Sequence, residues 1–407
     1  MARRGTRDAA LRGVIYLDYQ ATTPLAPEAL EAMLPWLRDG HANPHSAHRP
    51  GRAAKAAVEV ARDEVATLLP PGGRVVFTSG ATEALNWAIK GTAGPITTWA
   101  TEHAAVLDSV AAAEKAGRPV RVLPVDRDGL ALQTAGSEGG LHAAMLVNNE
   151  VGTINPVAAL ADAAHAAGAL FLCDAVQGYG RVAVPDNVDL VAVSAHKVHG
   201  PKGIGALWIR DGVTLEPLLH GGDQEGGRSG TLSPALCAGF GVAAKLMRAR
   251  QAEDAGHVER LWAMATDRLA IEPEGCSVRP EPVEGPSFLG KRDGASTSSA
   301  RTVTKRANAT DVWSLNGSAT RRYHGNLNIR CPGLDVARLM SDLRDIAFSA
   351  GSACASGSGR PSHVLRALGL TDAAARSSIR LGWGRYTTQA ELVEAIDRID
   401  AAARAQR

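Results

Sequence analysis

Lys197, in the stretch SAHKVHGPKG, stands just past the end of an apolar, β-branched segment, VDLVAVSA (188–195). Earlier in the chain Asp174 closes a second such segment, GALFLCD. Each alone reads as a surface lysine or a strand-terminal acid. A primary amine and a carboxylate at neighbouring strand ends are, however, what pyridoxal phosphate requires. The amine condenses with the aldehyde, and the carboxylate keeps the pyridine nitrogen protonated so that the ring accepts electrons. Lys202 is a competing amine, set aside because PKGIG reads as a glycine turn opening the next strand, GALWI.

Other side chains suit the rest of that chemistry. TSGATEALN (78–86) puts small residues at a strand-to-helix turn, where backbone N–H groups and hydroxyls can meet an anion at a helix N-terminus. Thr82 is the best phosphate ligand there, and Ser194 and His196 can hold the same phosphate. His103 opens a helix in TEHAAVLD, and its ordinary pKa suits either stacking on a ring or proton transfer. Cys354 lies in FSAGSACASGSGRPSH (348–363), among Gly, Ala and Ser, with no apolar neighbours to bury it. An unperturbed thiol is only roughly 3% thiolate at pH 7, so a catalytic role needs a cationic or proton-accepting partner. Cys173 and Cys237 read as small core residues, whereas Cys331 and Cys276 are candidates for exposure. Arg380 sits in the apolar strand SSIRLGWGR, where an unpaired guanidinium is costly. It meets either a substrate carboxylate, gripped by its planar fork, or an internal acid.

The elements that position these residues alternate short strands with Ala-rich helices up to about residue 250, which predicts an α/β fold with a mostly parallel sheet flanked by helices. Ligands of such sheets bind outside the carboxyl ends of the strands. Thr82, Asn149, Asp174 and Lys197 all fall at or just after those ends. The expected organisation is a large α/β domain over 14–256, preceded by an N-terminal arm (1–13), and a smaller α+β domain over 257–407. Residues 277–310, rich in Pro, Ser, Thr, Gly and Arg, are read as a disordered insertion.

The chain has 407 residues, 45% apolar and 21% charged, as in an ordinary globular protein. Its 44 basic and 42 acidic residues leave a net charge of +2, which points to no direct nucleic-acid or membrane partner. No apolar run approaches the length of a membrane span. The basic start has no apolar stretch behind it and is read as no secretory signal. Five widely spaced cysteines without a CxxC pair argue against disulfides or a metal site and for a reducing, cytoplasmic setting.

Together the motifs resemble the cysteine desulfurases, among the class V aminotransferases of pyridoxal phosphate fold-type I. The resemblance spans almost the whole chain, through YLDYQATTP, NPHSAHRPGR, TSGATEALN, TEHAAVLD, NNEVGTINP, CDAVQ, SAHKVHGPKGIGAL, GGDQEGGRSGTL, GNLNIR, SAGSACASG and SSIRLGWGRYTT. It implies that Lys197 carries the cofactor and Asp174 faces the pyridine nitrogen. Asn149 and Gln177 would bond the ring hydroxyl, and His103 would stack on the ring and serve as acid or base. Thr82, Ser194 and His196 would bind the phosphate, joined by Thr231 from a second subunit, hence a homodimer. Arg380, with Asn43 in a lesser part, would grip the substrate carboxylate.

Cys354 matches the cysteine that becomes persulfidic. The implied reaction takes L-cysteine to L-alanine, the Cys354 thiolate attacking the substrate sulfur. That sulfur would pass to an acceptor protein, an iron–sulfur scaffold or a tRNA-thiolation relay. The long Gly/Ser loop resembles the housekeeping type. Selenocysteine lyase and a small-substrate aminotransferase are the nearest alternatives, with a non-catalytic scaffold of the same fold behind them. The 277–310 segment has no counterpart in the family pattern and reads as an insertion between two strands of the small domain; the chain stops at Arg407 without the longer tail by which some relatives engage a scaffold, which bears on the acceptor.

Overall fold

The computed structural model describes residues 13–132, 138–222, 224–271, 312–351 and 361–407. Cys276, Cys354 and the whole of 277–310 lie outside the described residues. Thirteen strands are present among those described. A short β1 (Ile15–Tyr16) is followed by β2 (Gly73–Thr78), β3 (Ile96–Trp99), β4 (Val120–Leu123), β5 (Leu141–Met145), β6 (Leu170–Asp174), β7 (Leu190–Ser194) and β8 (Gly205–Arg210). Then come β9 (Ser314–Leu315), β10 (Asn326–Arg330), β11 (Ile346–Ala347), β12 (Ser349–Ala350) and β13 (Ser378–Gly382).

Seven strands form one sheet in the order β2-β8-β7-β6-β5-β3-β4. The run from β7 to β4 is parallel, as the alternating pattern predicts, and only β8 runs against its neighbours. Alternate side chains of each strand enter opposite layers. Phe77, Phe171, Cys173, Val191, Val193 and Trp208 pack on one face with Val58, Val65, Leu160 and Phe240 of three helices. Val76, Leu172, Leu190, Ala192 and Leu207 pack on the other face with Leu85, Ala88, Val106 and Val110. Both faces are therefore apolar and covered, which explains the near-continuous hydrophobic runs of these strands.

A four-stranded antiparallel sheet, β12-β13-β10-β9, underlies a separate apolar cluster with Val258, Leu261 and Ala265 of the helix Gln251–Arg268 and Leu392, Ile396 and Ile399 of Gln389–Arg404. The latter helix begins with a full capping box between Thr388 and Glu391. Ile15 and Leu17 join this cluster, because β1 pairs in parallel with β11. Sequence periodicity carries no signal for that contact between distant segments. A buried ion pair, Arg385 to Asp254 at 2.6 Å, fastens the end of β13 to the helix Gln251–Arg268.

Candidate active site

The carboxyl ends of β2, β5, β6 and β7 face one cavity of about 700 Å³. Its walls include Thr82, His103, Asn149, Asp174, Gln177, Ser194, His196, Lys197 and Arg380, nine of the residues singled out from sequence. Lys202 also reaches its wall, although its side chain is exposed. Asn43 and Thr231 do not line it; both are exposed on this chain, and Asn43 Oδ1 accepts the backbone N–H of His45 at 2.9 Å. Cys354 is outside the described residues.

Each wall residue owes its place to a local feature. Asp174 is the last residue of β6 and is 6% exposed. Its Oδ1 accepts the N–H of Val176 at 3.0 Å. Burial pushes the Asp174 carboxyl up from its usual range, against that hydrogen bond and the charges of His103 and Lys197. A carboxyl so held shares a proton readily with a base such as a pyridine nitrogen. Lys197 ends a single 3-10 turn, Ala195–Lys197, directly after β7. Its Nζ donates to the backbone carbonyl oxygens of Gln20 and, at 2.9 Å, of Ala21.

His103 is the N-cap of the helix Ala104–Lys115, and the Ala105 N–H donates to its Nδ1 at 3.1 Å. Burial lowers its pKa, with Lys197 and His363 adding to the effect and Asp174 opposing it. The neutral ring that results has its Nδ1 lone pair occupied, so its proton sits on Nε2. His196 is likewise kept neutral, pushed down to about 4 by burial and by the charges of Lys197 and Lys202. Its Nδ1 lies 3.1 Å from the hydroxyl of Thr22.

Arg380 Nη2 pairs with Asp18 Oδ1 at 2.9 Å and reaches Ser349 Oγ at 3.2 Å, while Nη1 donates to the Asn149 carbonyl at 3.0 Å. The internal acid anticipated as one of two outcomes is thus Asp18. The guanidinium nevertheless stays on the cavity wall, and its buried Nε has no hydrogen-bond partner among the described residues.

Several participants were not legible as site residues. Gln20 supplies the carbonyl that receives both Lys197 Nζ and, at 2.9 Å, Gln177 Nε2. Asp18 also lines the cavity, while Ser79 and Gly80 line it as part of the anticipated TSGATEALN turn. Two acids are buried behind it. Glu102 accepts the Met145 N–H at 2.9 Å and is pushed well up by burial, and Glu150, also raised by burial, accepts from the Ser362 hydroxyl. The motifs YLDYQ, TEH and NNE contain these residues, but nothing in their spacing separates a buried acid from a solvated one. One expectation is corrected: Cys331 is not exposed, but fully buried in the small-sheet cluster.

The donor set fits a phosphorylated pyridine aldehyde. Ser79, Gly80 and Thr82 open the helix Ala81–Gly91, whose N-terminus favours an anion. A Cβ built on Gly80 would meet nothing within 4 Å, so the turn's backbone is open to a ligand. From behind, β8 crowds the same turn: a Cβ on Gly205 would stand 2.8 Å from the Gly80 backbone. Anion donors, a buried carboxyl and a primary amine thus share one cavity of the size that small ligands occupy.

Comparison with known proteins agrees with this chemistry. A family model described as Aminotransferase class-V matches residues 15–284. Cysteine desulfurase IscS of Rickettsia akari is 38% identical over 405 residues, covering 95% of this chain and 90% of the relative. The mitochondrial cysteine desulfurase of Eremothecium gossypii is 39% identical over 398 residues, covering 93% of this chain and 74% of the relative. Among solved structures, a NifS-like protein superposes with a TM-score of 0.78 at 28% identity, covering 96% of this chain and 99% of the other. The fold is that of a class-V aminotransferase. The chain belongs to that family, and within it to the cysteine desulfurases.

Proposed function

We propose that this enzyme converts L-cysteine to L-alanine with pyridoxal phosphate held in the cavity, and carries the released sulfur as a persulfide on Cys354. The observation that carries the reading is the meeting of Lys197, Asp174, Arg380 and the Thr82 turn in one cavity. Thr82, Ser194 and His196 would take the phosphate. Asp174 would face the ring nitrogen, and Asn149 and Gln177 the ring hydroxyl. When bound, the cofactor supplies an aldehyde for amine exchange and an electron-accepting ring.

The chain's own groups do the rest. Lys197 presents its amine from between the carbonyls of Gln20 and Ala21. Arg380 offers a buried guanidinium to the substrate carboxylate, held in register by Asp18 and the Asn149 carbonyl. The Cα proton is taken by a base within reach of the cavity. His103, neutral with its proton on Nε2, is disposed to donate a proton. The Cys354 thiolate attacks the substrate sulfur: an S–S bond forms, the Cβ–S bond breaks, and protonation at Cβ leaves alanine.

Thr231, exposed and away from its own cavity, suits a residue lent to the phosphate of a second subunit, so the active form is read as a homodimer. The sulfur would go to an iron–sulfur scaffold or a tRNA-thiolation protein. The setting is read as cytoplasmic. The three described cysteines are free and buried, and no described helix is long and apolar enough to cross a membrane. Division into a large unit (14–256) and a small one (257–407) draws support from the separate apolar clusters of the two larger sheets, with crossings both ways: Ile15 and Leu17 pack with the small-sheet cluster, and Val364, Leu365, Leu368 and Ala375 with the large one.

Alanine released from L-cysteine, measured beside sulfide with a reductant present, tests this reading. Cys354→Ser should abolish turnover while the cofactor stays bound. Retained desulfuration in that variant would refute the role given to Cys354.

A further inference from the structure

Arg181 does not line the cavity, yet its guanidinium spans the backbones of two residues that do. Nη1 donates to the backbone carbonyl of Gln177 at 3.1 Å, and Nη2 donates to the backbone carbonyl of Lys197. On the cavity side the same two residues are already joined, because Gln177 Nε2 and Lys197 Nζ both donate to the carbonyl of Gln20. Gln177 and Lys197, from separate strand ends, are therefore tied to one another twice.

Both ties end on one turn before β10. The Arg181 guanidinium carbon lies over the Tyr323 ring, 5.5 Å from its centroid. The Gln20 side chain, through Nε2, donates to the carbonyl of Gly325 at 2.8 Å. Arg181 makes no ion pair with a carboxylate among the described residues; two of its N–H groups go to carbonyls, and Tyr323 meets it through its ring and a side-chain hydrogen bond. A guanidinium can do this because its fork sends separate N–H groups to separate acceptors while staying charged. An ammonium at the end of a flexible chain reaches one carbonyl well and the other poorly.

We propose that Arg181 is a positioning residue for the reaction at Lys197: it fixes the spacing between the Lys197 and Gln177 backbones and couples that spacing, through Tyr323, to the small sheet. The assignment of Lys197 as the reacting amine rests on the function proposed above, but the clamp itself is a property of the chain without cofactor and can be tested there.

The test uses the full chain stripped of cofactor, labelled with a limiting amine-acetylating reagent and mapped by mass spectrometry. The readout is the labelling of Lys197 relative to Lys202. Losing both charge-assisted hydrogen bonds should raise that ratio about tenfold or more in Arg181→Met if labelling proceeds through the opened form. Arg181→Lys should fall between Arg181→Met and the unaltered chain. The melting temperature should move little in either variant. An unchanged ratio in Arg181→Met overturns the proposal. So does a rise shared by all lysines, with a collapsed melting temperature that Arg181→Lys does not restore, since that marks a merely structural residue. Titration of the same proteins with pyridoxal phosphate separates the two claims. An unaltered chain that fails to bind it would sink the proposed function, whereas the labelling ratio would still decide the clamp.

Discussion

Replacing Asp174 by Asn keeps the side chain's shape and an oxygen for the Val176 N–H, and removes only the charge. In the proposed site that charge holds the pyridine nitrogen protonated, which a neutral amide cannot do. A hydrogen bond between charged groups in a buried site is worth about 1.5–3 kcal/mol. Asp174→Asn should therefore bind pyridoxal phosphate roughly 10- to 100-fold more weakly. Turnover should fall by more than that factor, because the electron sink itself depends on the proton.

The effect on stability should run the other way. Burial raises the Asp174 pKa in the folded chain, so its contribution is fully present below the unfolded value and lost as pH rises through the folded one. At neutral pH the cofactor-free Asn variant should thus melt no lower than the unaltered protein, and the two should converge as acid protonates Asp174. Absorbance titration with the cofactor and melting curves at several pH values measure both. A variant with undiminished affinity and turnover would refute the role of Asp174. A variant that melts several degrees lower without cofactor would show its charge to be structural.

Two further outcomes are expected. Arg380→Lys keeps a positive charge but cannot meet Asp18, Ser349 and the Asn149 carbonyl together, so the KM for L-cysteine should rise about tenfold or more while the cofactor's absorbance stays unchanged; an unmoved KM would contradict carboxylate binding there. Deleting 280–308 should leave activity largely intact and shift the melting temperature by about 2 °C or less, since shortening that connection about fourfold changes closure entropy by only about 1 kcal/mol. Its described neighbours Ile271 and Val312 are both buried in the small-sheet cluster without it, so a collapse of soluble expression would mean the segment is structural.

What was legible in the sequence followed from periodicity and from strand ends. β6 and β7 read as strands because each must fill two apolar layers, and a strand's carboxyl end is where a parallel sheet leaves room for a ligand. Thr82, Asn149, Asp174 and Lys197 could be gathered into one site from that rule. Contacts made by backbone atoms or by distant segments could not. The Gln20 carbonyl beneath Lys197 has no side-chain signature, and the pairing of β1 with β11 joins Ile15 to Ile346 across most of the chain. Arg380 was legible as a buried charge needing an anion, but its partner Asp18 was not, since Tyr16–Gln20 reads as any short strand and turn. Cys331 follows β10 at what looks like a strand's exposed exit. Its N–H is instead held by the Ser377 carbonyl at 3.0 Å, under the small-sheet core.

The measurement closest to the centre of this account is the site of covalent attachment. The protein loaded with pyridoxal phosphate should be treated with borohydride, digested and sequenced by mass spectrometry. A pyridoxyl-phosphate adduct on Lys197 alone is the predicted result. An adduct on Lys202, or none on any lysine of the cavity wall, would contradict the account.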